Sequence, residues 1–237
     1  MTQASEQFDP TAHFDEDLAG RYDRRIRLFC PSYDALHHMI ASLLSPIGEH
    51  ARLLAAGVGT GAEIVNLGRL FPFWTFVGVD ISSDMLSACR RRVSEAGIGN
   101  RAECINSRLQ EYQSPLLFDA AISVFVAHFI KGHEEKIKYF RAIAENLKPG
   151  GTFVLADLHG DTGSDDCKKL LDAWLFSYAL QGVSTEQFAK DKEHILRDVD
   201  FVPERELYAL LTEAGFTSPV RFYQTFLFGG WVATKPC

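Results

Sequence analysis

A short apolar segment runs directly into a glycine-rich turn at residues 53–61, which read LLAAGVGTG. Three of these residues are glycines with the spacing G-x-G-x-G, and an amphipathic stretch follows them. Glycine is needed where the backbone must turn sharply and let a ligand approach without a Cβ atom in the way. A lone G-x-G-x-G is weak evidence, but its place between a predicted buried strand and a predicted helix indicates a cofactor-binding loop.

Short apolar runs alternate with amphipathic stretches from residue 50 to residue 157. The runs predict strands and the stretches between them predict helices. We predict strands at 52–56, 74–80, 102–105, 118–124 and 152–157, and helices at 62–70, 83–96 and 136–147. A turn at 148–151, KPGG, is expected to end the last of these helices and lead into a strand. Strands separated by helices imply right-handed crossovers and a doubly wound sheet.

The two ends of the chain extend this core. Amphipathic helices are predicted at 33–44 and at 203–214, the second followed by Gly215, a helix-ending signal. Two further runs, 220–226 and 228–234, have no helix between them and must pair as an antiparallel hairpin. The fold prediction is therefore an α/β protein with a Rossmann-like, doubly wound sheet of seven strands, mostly parallel, with one antiparallel strand in a C-terminal hairpin.

Residues 158–202 interrupt the alternation. A helical stripe from Cys167 to Tyr178 predicts one helix, and Ser184 followed by Gln187 predicts the start of a second, reaching about Leu196. This insertion follows a strand's carboxyl end, where ligands of such sheets bind, so we consider a lid, a dimer surface or plain core packing. We expect a flexible tail at 1–13 and a single domain at 14–237, with N-terminal helices at 14–45.

Bulk composition restricts the function. The formal net charge is −7, which argues against a protein whose main task is direct nucleic-acid binding. Five scattered cysteines without a CxxC pair suit reduced thiols, and His37 and His38 adjoin on a helix and point apart, so no metal site is expected. Without a long apolar run or a signal-peptide pattern, we expect a cytoplasmic protein with no membrane span.

The predicted strand at 74–80 ends in Asp80, about 20 residues after the glycine loop. An acid at that place accepts hydrogen bonds from ribose hydroxyls. Nicotinamide-binding proteins share this feature, and Ala62 at the third glycine position does not decide between the cofactors. The final helix and hairpin, together with the KPGG turn, resemble class I S-adenosylmethionine-dependent methyltransferases. The resemblance implies S-adenosylmethionine as cofactor, with S-adenosylhomocysteine as product.

Four segments narrow the resemblance: FDE at 14–16, PSY at 31–33, AGF at 214–216 and FYQTFLFG at 222–229. Together they resemble the carboxy-S-adenosylmethionine synthase family, whose members supply a modified cofactor for wobble-uridine modification in tRNA. The likeness implies a homodimer and a cofactor pocket partly lined by Tyr33. With the glycine loop, it implies the cofactor contacts Tyr33, Ala56, Gly57, Val58, Gly59, Gly61, Asp80, Ile81, Met85, Ser107, Arg108, Leu109 and Ser123.

Three departures from that family matter. Leu210 stands where the synthases carry an arginine that pairs with the carboxylate of the modified cofactor, and leucine cannot pair with a carboxylate. Ala55 replaces the acid that usually ends the first strand. Residues 106–108, Asn-Ser-Arg, stand where the family usually has an acid that contacts adenine. Asn106 or Ser107 can still form hydrogen bonds with the adenine edge, and Arg108 can stack on the base.

We therefore favour ordinary methyl transfer to an unidentified small molecule. One alternative is a carboxy-S-adenosylmethionine synthase using S-adenosylmethionine and prephenate, with a displaced arginine such as Arg205 supplying the charge. The other is a non-catalytic cofactor-binding or scaffolding protein, suggested by Ala55 and Arg108.

Methyl transfer needs alignment more than proton transfer, so catalytic residues are hard to identify from sequence. His128 follows the predicted strand 118–124 and could accept a proton from an acceptor hydroxyl or amine, or it could be structural. Tyr33 is the second candidate, and Tyr178 is similar, with core packing the simpler role for both.

Overall fold

The computed structural model describes residues 16–217 and 219–237, with side chains described from residue 21 onward. The predicted tail at 1–13 lies outside these residues. Within them the α-helices are α1 (Glu16–Phe29), α2 (Tyr33–Leu44), α3 (Ala62–Leu70), α4 (Ser83–Glu95), α5 (His133–Asn146), α6 (Asp165–Ala179), α7 (Thr185–Asp198) and α8 (Glu204–Glu213). Short 3-10 helices are found at Ser45–Ile47, Gly99–Arg101, Leu109–Glu111 and Ala127–Phe129.

A seven-stranded sheet forms the centre of the molecule. Its strands are β1 (Arg52–Ala56), β2 (Thr75–Asp80), β3 (Ala102–Asn106), β4 (Phe118–Val124), β5 (Leu147–Leu158), β6 (Val220–Thr225) and β7 (Phe228–Thr234). The spatial order is β3-β2-β1-β4-β5-β7-β6, and β7 pairs antiparallel with both of its neighbours. All other neighbouring pairs are parallel. The predicted fold, with one antiparallel strand in the terminal hairpin, is confirmed.

Strand β5 begins five residues earlier than predicted. Leu147 is fully buried and pairs with Phe118, so the chain leaves helix α5 directly into extended backbone. The KPGG segment is therefore part of the strand, with a register shift against β4 rather than a separate turn. Gly150 takes the left-handed conformation there, with φ 76°, and its N–H donates to the carbonyl of Lys235 at 2.9 Å.

Residues 158–202 contain the two helices α6 and α7, each begun by a serine. The side chain of Ser164 accepts the N–H of Cys167 at 3.1 Å, and that of Ser184 accepts the N–H of Gln187 at 3.2 Å. These bonds satisfy N–H groups that the first turn of a helix leaves free. An isolated bridge between His159 and Val202 closes the base of the insertion.

Helix α1 packs against the insertion. The indole Nε1 of Trp174 donates to the carbonyl of Phe29 at 2.7 Å, and Arg25 pairs with the buried Asp191 at 2.6 Å. We call α1, α6 and α7 the roof. These contacts hold the roof over the carboxyl ends of the strands, the edge at which doubly wound sheets bind ligands.

The start of α2 is joined to the terminal hairpin. The Oγ of Ser32 lies 2.8 Å from the hydroxyl of Tyr223 and 2.6 Å from that of Thr225. The Sγ of Cys30 lies 3.2 Å from the same tyrosine oxygen. The loop that ends α1 is therefore fastened to β6. Among the described residues, no helix is both long and apolar enough to cross a membrane.

Candidate active site

A cavity of about 330 Å³ opens at the carboxyl ends of β1, β2, β3 and β4. We call it the cofactor cavity. It brings together eight of the thirteen residues predicted to bind the cofactor: Gly57, Gly59, Asp80, Ile81, Met85, Ser107, Arg108 and Leu109. These residues come from three consecutive strand ends, because parallel strands present their carboxyl ends at one edge of a sheet.

The glycine loop forms one wall of the cofactor cavity. Gly57 and Gly59 have φ values of 69° and 51°, in the left-handed region that favours glycine. A Cβ atom at Gly57 would lie 2.4 Å from the side chain of Val126, whereas one at Gly59 would meet nothing within 4 Å. The loop is thus pressed against the segment after β4 on one side and leaves open space on the other.

Asp80 holds this loop from the next strand. Its Oδ2 accepts the N–H of Gly59 at 2.8 Å, and its Oδ1 accepts the N–H of Ser82 at 2.9 Å. Burial raises the pKa of the Asp80 carboxyl, and the backbone N–H groups oppose that rise. Ser82, not Asp80, caps helix α4 by accepting the N–H of Met85. The carboxylate is therefore left to order the loop and to face the cavity.

The other five predicted contacts lie behind the cavity lining: Tyr33, Ala56, Val58, Gly61 and Ser123. Tyr33 is buried, and its hydroxyl donates to Glu63 at 3.2 Å. Burial, with Glu63 nearby, raises the pKa of that hydroxyl well above its usual value. Tyr33 therefore supports the helix after the glycine loop. Its predicted contact with the cofactor and its predicted catalytic role stay predictions.

Ala56 and Ser123 meet at a buried tyrosine. The Tyr139 hydroxyl lies 2.8 Å from the Oγ of Ser123 and donates to the carbonyl of Ala56 at 3.3 Å. Val58 packs against Gly78, and Gly61 packs against the Sγ of Cys89. Apart from Tyr139, which itself lines the cavity, these residues shape the floor rather than the surface.

The segment after β3 is already hydrogen-bonded to its neighbours. The Asn106 amide donates to the carbonyls of Asp80 and Ile81 at 3.1 and 3.0 Å, and the Ser107 hydroxyl donates to the carbonyl of Arg108 at 2.9 Å. Ser107 and Arg108 line the cavity, and Asn106 does not. Asn106 therefore joins β3 to the end of β2, because both of these hydrogen bonds use its amide nitrogen.

Several lining residues were not predicted from the sequence, chief among them Tyr22, Phe125, Phe129 and Tyr139. Phe125 has a φ of 59°, rare for a bulky residue, and its N–H donates to the carbonyl of Ala156 at 2.7 Å. Strained backbone of this kind gathers at functional sites. Its only sequence signal is an aromatic residue directly after a buried strand.

A second, smaller cavity of about 80 Å³ lies beneath the roof. We call it the inner chamber. Tyr22, Phe125 and Phe129 line both cavities and form the partition between them. The predicted catalytic residue His128 lines the inner chamber, where it is buried and its Nδ1 is hydrogen-bonded to the buried Asp157. Tyr178, a further predicted candidate, donates its hydroxyl to Asp191 and lines neither cavity.

The position that corresponds to the synthase arginine lines neither cavity. Leu210 is fully buried in a cluster with Phe153 and Trp231, on a face of the sheet that α8 covers. Arg205 is exposed on the same helix and lines neither cavity. Neither residue therefore supplies a positive charge to the cofactor cavity.

Comparisons with known proteins agree with this geometry. Residues 53–151 match the family model described as a methyltransferase domain. The chain is 26% identical to a carboxy-S-adenosyl-L-methionine synthase of Methylococcus capsulatus, over 98% of this chain and 96% of that protein. It is 27% identical to a ribosomal RNA small subunit methyltransferase G of Chlorobium luteolum, over 85% of this chain and 80% of the relative.

A solved structure has the same fold. It is a protein of Methanococcus maripaludis described as an S-adenosyl-L-methionine-dependent methyltransferase, with a TM-score of 0.66 at 17% identity, covering all of this chain and 97% of the other. The match to the methyltransferase domain covers residues 53–151, which include the glycine loop and Asp80, and the fold is shared with solved S-adenosylmethionine-dependent methyltransferases. Along nearly the whole chain the sequence resembles the carboxy-S-adenosyl-L-methionine synthases.

Proposed function

We propose that the chain transfers the methyl group of S-adenosylmethionine to a small molecule and holds that cofactor in the cofactor cavity. One observation carries the proposal: the Asp80 carboxylate faces the cavity while fixing Gly59. A carboxylate beside a glycine loop suits a ligand with sugar hydroxyls and a chain that passes close to the backbone. S-adenosylmethionine supplies an already activated methyl group on its sulfonium.

The donor set fits the adenosyl part of the cofactor. Asp80 would accept the ribose hydroxyls, and the apolar side chains of Ile81, Met85 and Leu109 would enclose the adenine. The Ser107 hydroxyl would form a hydrogen bond with the edge of the adenine, and the planar guanidinium group of Arg108 would stack on its face. The methionine end would lie against Gly57 and Gly59, with Glu135 the other carboxylate of the cavity lining besides Asp80.

Calorimetric titration tests the proposal. We expect S-adenosylmethionine and S-adenosylhomocysteine to bind, and a nicotinamide dinucleotide to bind far more weakly. No binding of either adenosyl ligand at millimolar concentration, or tighter binding of the dinucleotide, would contradict it.

The second candidate is carboxy-S-adenosylmethionine synthesis, favoured by the likeness to the Methylococcus protein along nearly the whole chain. Against it stand the burial of Leu210 and the exposure of Arg205 outside the cavity lining, because neither residue then places a cation where the synthases hold the carboxylate. Incubation with S-adenosylmethionine and prephenate, followed by mass spectrometry, decides between the two. We expect no carboxylated product, and its appearance would favour the synthase.

The third candidate is a non-catalytic cofactor-binding or scaffolding protein, suggested by Ala55. This residue is buried inside the sheet beside Gly78 and Ile122, so an aspartate placed there would disturb the core. A better test is turnover by the unchanged protein on a panel of acceptors. Cofactor binding without turnover on any acceptor would favour the scaffold.

We further propose a cytoplasmic homodimer that does not bind nucleic acid directly. The resemblance to the synthases supports the dimer, and the net charge of −7 opposes phosphate binding. Light scattering after size exclusion would give twice the chain mass, and a fluorescence titration with tRNA would show no saturable binding. A monomer or saturable RNA binding would contradict these points.

A further inference from the structure

The inner chamber has almost entirely apolar walls. Residues of α1, α6, β5 and the hairpin contribute Ile26, Phe29, Trp174, Leu158 and Phe228. Water gains few hydrogen bonds on such surfaces, so an apolar molecule is favoured there. The chamber adjoins the cofactor cavity across the partition, and a methyl acceptor must lie beside the cofactor to reach its methyl group.

One imidazole is held ready in this apolar space. The Nδ1 of His128 is bound to Asp157, whose Oδ1 also accepts the N–H of Leu158 at 2.9 Å. Because a carboxylate only accepts, this pairing places the hydrogen on Nδ1 and leaves the lone pair on Nε2. Among the described residues no hydrogen bond engages Nε2. The arrangement is that of a general base oriented by a carboxylate.

Arg25, which also lines the chamber, has one buried polar atom without a partner in the described part of the chain. The Nε of Arg25 is buried without a hydrogen bond among the described residues, while Nη2 of the same side chain pairs with Asp191. Because Asp191 already balances the positive charge of Arg25, the free Nε–H can donate a hydrogen bond to the oxygen of a neutral ligand and does not require an anion. A buried N–H without a partner is costly and indicates a ligand that supplies one.

We propose that the inner chamber binds the methyl acceptor, a small neutral molecule with one apolar ring and a hydroxyl group, of the phenol class. His128 is then the catalytic base and Asp157 the positioning residue. The inference rests on the proposed methyl transfer. The hydroxyl O–H bond breaks and its proton goes to Nε2, while the oxygen forms a bond to the methyl carbon. The carbon–sulfur bond breaks with its electron pair left on sulfur.

The size of the chamber limits the acceptor. Its volume of about 80 Å³ is below the roughly 150 Å³ of an engineered cavity that holds benzene. A single ring therefore fits only if the side chains of the partition, Tyr22, Phe125 and Phe129, move aside, and the same movement connects the chamber with the cofactor cavity. Two fused rings do not fit, so we expect phenol to bind at least tenfold more tightly than naphthol.

The first experiment measures acceptor binding without turnover. Phenol is titrated into the protein saturated with S-adenosylhomocysteine, beside benzoate and naphthol. Val199→Phe narrows the chamber, and Val220→Phe on the exposed face of β6 is the matched control. We expect at least tenfold weaker phenol binding in the first variant alone, with unchanged S-adenosylhomocysteine affinity in both. If Val199→Phe does not fold, Val199→Leu replaces it.

The second experiment tests the proton transfer. His128→Gln and Asp157→Asn are assayed with phenol and with a nitrophenol that is already ionised at the assay pH. Loss of a general base costs about 10²–10⁴-fold in rate with phenol, and an asparagine at 157 costs a comparable factor by favouring the wrong tautomer. The ionised nitrophenol needs no base, so the loss with it should be under about threefold. His133→Gln, at an exposed site, is the control.

Several charged or titratable groups also surround His128: His194 and Arg25 in the chamber wall, Tyr22 in the partition, and the Lys136–Asp200 pair beside its loop. They act alike on both phenols, so the nitrophenol comparison isolates His128. Equal losses with both phenols, or phenol binding unaffected by Val199→Phe, would overturn the inference while leaving cofactor binding intact. Absence of S-adenosylhomocysteine binding would instead overturn the proposed function.

Discussion

The Asp80 carboxylate orders the glycine loop with both of its oxygens and also lines the cofactor cavity. Its bonds to the backbone N–H groups of Gly59 and Ser82 use one lone pair on each oxygen. The remaining lone pairs are available to the cavity. Because the protein side of the carboxylate is already ordered, ligand binding need not reorganise it, and preorganisation of this kind favours affinity.

Replacing Asp80 with asparagine should weaken S-adenosylhomocysteine binding about 10–100-fold, because a hydrogen bond to a charged group contributes about 1.5–3 kcal/mol. Asp84→Asn, on the exposed first turn of α4, is the matched control and should leave the affinity unchanged. Calorimetry measures both. Equal affinities for the two variants would show that Asp80 does not contact the ligand.

Cofactor affinity should also fall on acidification. Burial raises the pKa of the Asp80 carboxyl in the free protein. Sugar hydroxyls donate to the ionised form, so binding lowers that pKa. Affinity is then complete above the pKa of the free protein and declines as the pH falls through it, at a higher pH than for an ordinary aspartate. Titrations from about pH 7 to about pH 4 should show this decline, and Asp80→Asn should abolish it.

For single residues, the sequence predicts positions at strand ends better than it predicts which side chains pack beside them. Gly57 and Asp80 follow from their places at strand ends, since the topology brings such ends together. Tyr22 reaches the cavity only because α1 folds across the sheet edge, and no local periodicity encodes that. Asn106 shows the converse, because a residue beside the cavity can spend its amide on backbone carbonyls.

At the scale of secondary-structure elements, side-chain contacts hold helix α1 against the glycine loop, and we call these contacts the clamp. Asp23 forms an ion pair with Arg92 of α4, and both bond the Thr60 hydroxyl, Arg92 as donor and Asp23 as acceptor, at 2.9 Å each. All three side chains are buried or half-buried, so water screens the pair less than at an open surface. The clamp links the roof to the cofactor loop.

Asp23→Asn should loosen α1 without unfolding the sheet. A partly buried charged hydrogen bond contributes about 1.5–3 kcal/mol, so amide exchange in α1 should quicken at least about tenfold. Asp34→Asn breaks the exposed pair with Arg27 and should change exchange little, since exposed pairs contribute about 0–1 kcal/mol. Hydrogen exchange read by mass spectrometry compares them. Similar amide exchange in the two variants would show that Asp23 does not hold α1 in place.

Element prediction succeeded where hydrophobic period and caps agree, as for α3, β1, β4 and β7, whose bounds match the structure. It was wrong at the start of β5. There the KPGG sequence has the residues of a helix end and turn, but burial of Leu147 against Phe118 draws the chain into the sheet first. Tertiary packing outweighed the local signal.

At the scale of the whole molecule, Tyr223 connects the terminal hairpin to the loop between α1 and α2. Its hydroxyl is hydrogen-bonded to Ser32 and lies near the thiol of Cys30. Tyr223→Phe should lower the free energy of unfolding by about 1 kcal/mol, the usual contribution of one hydrogen bond. Tyr112→Phe is the control, because no hydrogen bond of its hydroxyl is found among the described residues. Urea denaturation should distinguish them, and equal midpoints would contradict the prediction.

The fastening of Ser32 to β6 has a consequence for biosynthesis. Helix α1 leaves the ribosome well before Tyr223 and Thr225, the residues that anchor the loop at its end. A nascent chain can therefore assemble β1 to β5 while its entrance stays uncovered. The pocket becomes complete only after β6 has been synthesised.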